Sequence, residues 1–132
     1  MMTTFDWQGT AVRFLDAWTS QDADRVLACY ADAGLAYSDP NTRGAIRTKD
    51  EFRRYLTKLF AAWSMTWTAR EVRPFGDGSG AAVLWRATFV KASQGAGTAP
   101  IAIDGIDLVE LRDGLVTRNE VQFDRTKLAQ LG

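Results

Sequence analysis

The spacing of apolar residues along the chain changes once, near residue 63. Before that point it is helical. Behind a capping Asp6, residues Ala11, Phe14, Leu15 and Trp18 fall at i, i+3, i+4 and i+7, which predicts an amphipathic helix. Asp22 opens a second, shorter helix with Ala23, Val26, Leu27 and Tyr30 on one face. Leu35 to Asp39 reads as a short strand ended by Pro40, and 41–47 as a loop. Thr48, Lys49, Asp50 and Glu51 form a capping box. Behind it comes the best apolar stripe in the chain: Phe52, Tyr55, Leu56, Leu59, Phe60 and Trp63.

From Ser64 onward the period is two. Three turn signals, Gly76-Asp77-Gly78, the loop from Ala92 to Thr98, and Asp113-Gly114, divide the remainder into strands at 64–75, 79–91, 99–112 and 115–124. The stretch from Arg125 to Gly132 has room for one last helical turn. Helices followed by a meander of long strands predict an α+β fold built on one strongly curved antiparallel sheet. At 132 residues, with no internal repeat or linker, a single domain spanning 1–132 is expected.

Composition removes whole classes of chemistry. The chain has no histidine, which excludes Ser-His-Asp and Cys-His catalysis and any His-ligated metal. Cys29 is the single cysteine, so there is neither a disulfide framework nor a CxxC pair, and a cytoplasmic location is expected. Lys and Arg (16) balance Asp and Glu (16), so no net field draws nucleic acid or an anionic membrane. The N-terminal residues lack a signal-peptide pattern, and no apolar run approaches the roughly 18 residues of a membrane span.

Strand alternation singles out two carboxylates. In the strand around 101–111 the inward set reads Ile101, Ile103, Gly105, Asp107, Val109 and Leu111, which places an acidic side chain among aliphatic ones. Such a group must be paired, hydrogen-bonded or kept protonated by a raised pKa. By the same alternation Asp39 shares a face with Leu35 and Tyr37. Each has a structural explanation. Asp39 precedes Pro40 and can cap the loop through an Asx-turn, while Asp107 can accept bonds from Asn119, Thr117 or a tyrosine. Cys29 reads as a small buried hydrophobe, and Gly76, Gly78 and Gly80 as a hairpin turn, since no helix follows them. Arg43, Arg47, Lys49, Arg53, Arg54 and Lys58 surround the third helix as a solvated face with some capacity to draw anions. Trp7, Trp18, Trp63, Trp67 and Trp85 read as core or pocket wall.

The order helix, helix, YADAGLAYSDP, loop, TKDEFRRYL, then strands carrying IDGIDLVELRDGLVTRNEVQFD resembles the ketosteroid isomerase and SnoaL-like polyketide cyclase branch of the NTF2-like superfamily. That resemblance implies an NTF2-like (cystatin-like) cone. In it three N-terminal helices pack on a curved, mixed, mostly antiparallel sheet around an apolar pocket, and two copies pair through the sheet. It places Asp39 where isomerases carry the carboxylate that moves a proton between carbons. Asp107 falls where they carry a protonated Asp that donates to the enolate oxygen, and near the catalytic carboxylate of SnoaL-like cyclases. Tyr30 matches a tyrosine of the isomerase network and Phe123 a pocket aromatic. The departure is Phe14, which stands where isomerases have an oxyanion-hole tyrosine. The limonene epoxide hydrolase branch needs an Arg-x-Asp pair where this chain has Gly105-Ile106-Asp107.

The expectation is therefore a cofactor-free isomerase or cyclase acting on a small hydrophobic ketone or polyketide-like substrate. Asp39 is its general base and Asp107 its general acid or oxyanion donor, with Phe14, Trp18, Tyr30, Tyr37, Trp63, Trp85 and Phe123 around the ligand. The alternative is a non-catalytic module that binds a small hydrophobic ligand. Neither needs a metal, nucleic acid or membrane. A homodimer through the convex sheet face is expected from Val72, Leu84, Val90, Ile106 and Leu108.

Overall fold

A computed structural model describes residues 5–92 and 99–129. The elements run α1 (Trp7–Thr19), α2 (Ala23–Leu27), β1 (Ala36–Ser38), α3 (Lys49–Ala62), β2 (Trp63–Pro74), β3 (Gly80–Lys91), β4 (Ile101–Arg112), β5 (Leu115–Gln122) and α4 (Thr126–Ala129). The three helices expected ahead of the sheet do not all precede it, because β1 separates α2 from α3. Of the turn proposed for Ala92 to Thr98, residues 93–98 lie outside the described residues.

Local chemistry sets the helix starts. Asp6 accepts from Gly9 N at 2.9 Å, Asp22 from Asp24 N at 2.9 Å, and Thr48 from Glu51 N at 3.2 Å, each satisfying a first-turn donor. The capping box is only half reciprocal. The Glu51 side chain accepts from Arg47 N at 3.3 Å and not from the cap itself.

The sheet order is β1-β5-β4-β3-β2, with β1 parallel to β5 and the other pairs antiparallel. Short turns join β2 to β3 and β4 to β5. Asp113 and Gly114 both take positive φ (55° and 81°), the type I′ conformation that matches strand twist. Both sheet edges are covered. On β2 the side chains of Gln21 and Thr19 accept from Met65 N (2.6 Å) and Trp67 N (2.9 Å), and on β1 Tyr37 exchanges backbone bonds with Ile46.

A bulge in β2 overturns one expectation. Ala69 pairs with Trp85 but Glu71 with Leu84, so Arg70 is the extra residue and the alternation reverses beyond it. Val72 therefore pairs with Val83 and turns inward to line a recess with Ala11 and Phe14, off the outer face to which simple alternation assigned it.

The helices cover the inner face. Trp18, Tyr37 and Phe52 stack in sequence, with ring centroids 5.7 Å and 4.6 Å apart, and Phe52 and Leu56 of α3 are fully enclosed. Truncating a core aromatic such as Phe52 to Ala costs about 3–5 kcal/mol.

Candidate active site

Among the inward positions of the sheet, two polar side chains are buried: Asp107 on β4 and Asn119 on β5. Asp107 pairs with Val83 on one side and Val121 on the other. Its donor comes diagonally from β3, where Trp85 Nε1–H reaches Oδ1 at 2.8 Å. Burial dominates its electrostatics and lifts its pKa to about 7. The Trp85 N–H and the neighbouring Asn119 amide oppose the rise, and the charge of Asp39 adds slightly to it. Asn119 in turn accepts from Tyr30 Oη at 2.7 Å and donates to Leu108 O at 3.3 Å, while Thr117 donates to Glu110 O and takes no part.

Asp39 follows β1, and its carboxylate collects three donors. Asn41 N reaches Oδ1 at 2.7 Å, the Asx-turn anticipated before Pro40. Tyr37 Oη donates to Oδ2 at 2.7 Å and Tyr55 Oη, from α3, donates to the same atom. Burial and the Asp39 charge push both phenols above their ordinary pKa, so both keep their protons and remain donors at neutral pH. A carboxylate offers about four lone-pair sites. One remains free, on Oδ1.

Both carboxylates line one cavity, together with Leu15, Trp18, Tyr37, Tyr55, Trp63, Trp67 and Phe123 among others. Its open volume is about 30 Å³, room for roughly two waters. One lining residue stands out: the Trp67 Nε1–H is buried without a hydrogen-bond partner among the described residues. Such an orphaned donor is rare in folded proteins and costs about 1–3 kcal/mol. Its ring is held edge to face by Trp85 at 4.5 Å, and its backbone N–H by Thr19.

Of the residues expected at the site, Asp39, Asp107, Trp18, Tyr37, Trp63 and Phe123 meet here. Three do not line the cavity. Phe14 lies one helical turn before Trp18, against Val72, Val83 and Val109 in the separate recess. Tyr30 is enclosed in the core and spends its hydroxyl on Asn119. Trp85 is fully buried behind the wall and acts on the cavity through Asp107. Sequence reasoning missed the roles of Tyr55 and Trp67. Tyr55 carries the only hydroxyl in the α3 stripe, which was a usable signal. For Trp67, only the structure distinguishes a satisfied indole from an orphaned one.

The SnoaL-like domain family matches residues 11–119. No curated protein matches the chain. Among solved structures, a protein provisionally named a polyketide cyclase from Xanthomonas campestris pv. campestris superposes with a TM-score of 0.79 at 18% identity, covering 95% of this chain and 96% of that one. An NTF2-like protein of unknown function from Burkholderia pseudomallei gives 0.79 at 16% identity, covering 97% and 98%. A ketosteroid isomerase-like protein from Erwinia carotovora atroseptica gives 0.67 at 21%, covering 89% and 92%. At these identities the likenesses establish the fold. The family match, which spans most of the chain, settles membership: this chain belongs to the SnoaL-like domain family.

Proposed function

We propose that the chain is a cofactor-free isomerase or cyclase that moves a proton on a hydrophobic, polyketide-like ketone. The observation that carries this reading is Asp107, a buried cavity carboxyl with a pKa of about 7. A group that titrates near the working pH is the most effective proton carrier. Ionised Asp107 takes a proton from the carbon beside the substrate carbonyl, and the C–H electron pair becomes the enolate. The orphaned Trp67 N–H donates to the enolate oxygen, the service that Phe14 cannot give. Protonated Asp107 then returns its proton to another carbon in an isomerisation. In a cyclisation the enolate carbon attacks a second carbonyl and the proton goes to the new alkoxide. Asp39, already engaged by three donors, serves better as a fixed anion that orients Tyr37 and Tyr55 than as the base first expected. The apolar cavity within a cone of sheet and helices would hold the reacting end of the substrate.

The test is turnover of small activated enones and β-diketones, followed by absorbance, in the parent and in Asp107→Asn. Turnover in the parent that the variant lacks supports the reading; equal rates in both defeat it. A non-catalytic binding module is the second reading, favoured by the structural duty of Asp39 in its Asx-turn.

The outer sheet face supports a homodimer. Leu84 pairs with Ile106, and Leu108 follows, between ion pairs of Arg86 with Asp104 and of Arg118 with Glu110 and Glu120. Ile106 is 41% exposed. An apolar centre with rims of both signs is self-complementary under a two-fold axis. Among the described residues no helix is long and apolar enough to cross a membrane, and Cys29 has no disulfide partner; a reducing cytoplasm is the compartment we favour.

A further inference from the structure

We infer that a groove outside the cavity mouth holds the body of an apolar ligand and binds an anionic oxygen group, such as a carboxylate, between Lys58 and Arg125. This deepens the active-site reading above and rests on it for the position of the reacting end.

Volume makes the first argument. The inner cavity offers about 30 Å³, whereas ligands of ordinary metabolite size occupy pockets of about 300–1,000 Å³. The groove offers about 690 Å³. Asn41, Tyr55, Leu59 and Trp63 line both spaces, so the groove abuts the mouth and only the tip of a ligand need enter. Leu59, Ala62 and Trp63 give the groove an apolar floor.

Charge makes the second. Around α3, Lys49 is paired with Asp32 at 2.8 Å and Arg53 with Asp24. Lys58 and Arg125 both line the groove, and neither has a carboxylate within 4.0 Å among the described residues. Arg125 Nη1 donates to Pro40 O at 3.1 Å, which fixes the guanidinium at the rim while its other nitrogens stay available. The nearby acids are engaged elsewhere. Asp124 accepts from Thr126 N and Oγ1, and Asp39 from Tyr37, Tyr55 and Asn41. Two uncompensated cations on an apolar surface attract an anion whose remainder is apolar.

The experiment compares naphthoate with its neutral isostere naphthamide, with binding followed by quenching of tryptophan fluorescence. The charged probe is expected to bind about three- to tenfold tighter at low salt, the range for two partly exposed charge contacts. That preference should vanish in the Lys58→Gln/Arg125→Gln double variant and shrink in 1 M salt, as screening requires, about 3 Å being the Debye length there. Equal binding of the two probes by the parent, or a preference that survives both the double variant and salt, overturns the inference. Asp107→Asn separates it from the functional reading: the preference should persist there while turnover is lost. Turnover without any preference removes the groove site alone, and a preference without turnover leaves the groove standing and removes the catalytic reading.

Discussion

Trp85 on β3 donates its indole N–H to Asp107 on β4, two residues along from its own backbone partner, Gly105, and both side chains are closed off from solvent. A single good donor does not compensate the desolvation of a carboxylate, which is why the proton affinity of Asp107 remains high.

That imbalance fixes how stability varies with pH. The folded pKa of about 7 lies above the unfolded value, so the contribution of Asp107 is complete below roughly pH 4 and declines as pH rises through 7. The full loss is on the order of 2–4 kcal/mol. Asp107→Asn should therefore flatten the fall in urea midpoint expected for the parent between about pH 4 and 7. Exposed pairs such as Arg86 with Asp104 run the other way but are common to both proteins, so the difference curve isolates Asp107. Identical pH dependence in the two would contradict its buried titration.

For catalysis, kcat/KM should rise with pH through an apparent pKa near 7, since the base must be ionised. Asp107→Asn should abolish this limb together with turnover. Asp39→Asn should lower the rate yet keep the profile, because Asn can still accept from Asn41 N. The opposite outcome, with Asp39→Asn inactive and Asp107→Asn active, would return the base to Asp39.

Replacing Trp67 by Phe removes the orphaned N–H and keeps an aromatic wall. Turnover should fall by about 10²-fold, the usual cost of losing one oxyanion donor, without a matching drop in unfolding midpoint, because no protein hydrogen bond is broken and a costly unpaired donor is removed. A variant as fast as the parent would leave that donor without a catalytic role.

On the outer face, Ile106→Glu should convert the proposed dimer to monomer in sedimentation at micromolar concentration while circular dichroism stays unchanged. A parent that sediments as a monomer removes the dimer proposal.

Much of this layout was legible in the residues. The α3 stripe and its cap, the turn at Asp113-Gly114 and the inward phase of Asp107 follow from spacing alone. Val72 did not, because a bulge at Arg70 has no sequence mark stronger than its neighbours, and one inserted residue reverses every side chain beyond it. Phe14 and Tyr30 were assigned by family position, but α1 turns Phe14 toward Val83 and Val109, and Asn119 claims the Tyr30 hydroxyl. The tyrosine pair on Asp39 depends on how α3 lies against β1, a distance that periodicity cannot express.

Gly105 bears on how this frame could change its chemistry. A Cβ built there would come within 2.4 Å of the Trp85 ring. The tryptophan can therefore hold Asp107 only while its strand partner has no side chain. The epoxide hydrolase pattern, with arginine at that position, demands the reverse. Exchange between the two arrangements has no viable single step: an arginine placed first collides with the indole, and an indole removed first leaves Asp107 without its donor. Positions 85 and 105 are thus bound to vary as a pair, and a survey of related chains should find Trp with Gly, or a smaller residue with Arg, but not Trp with Arg.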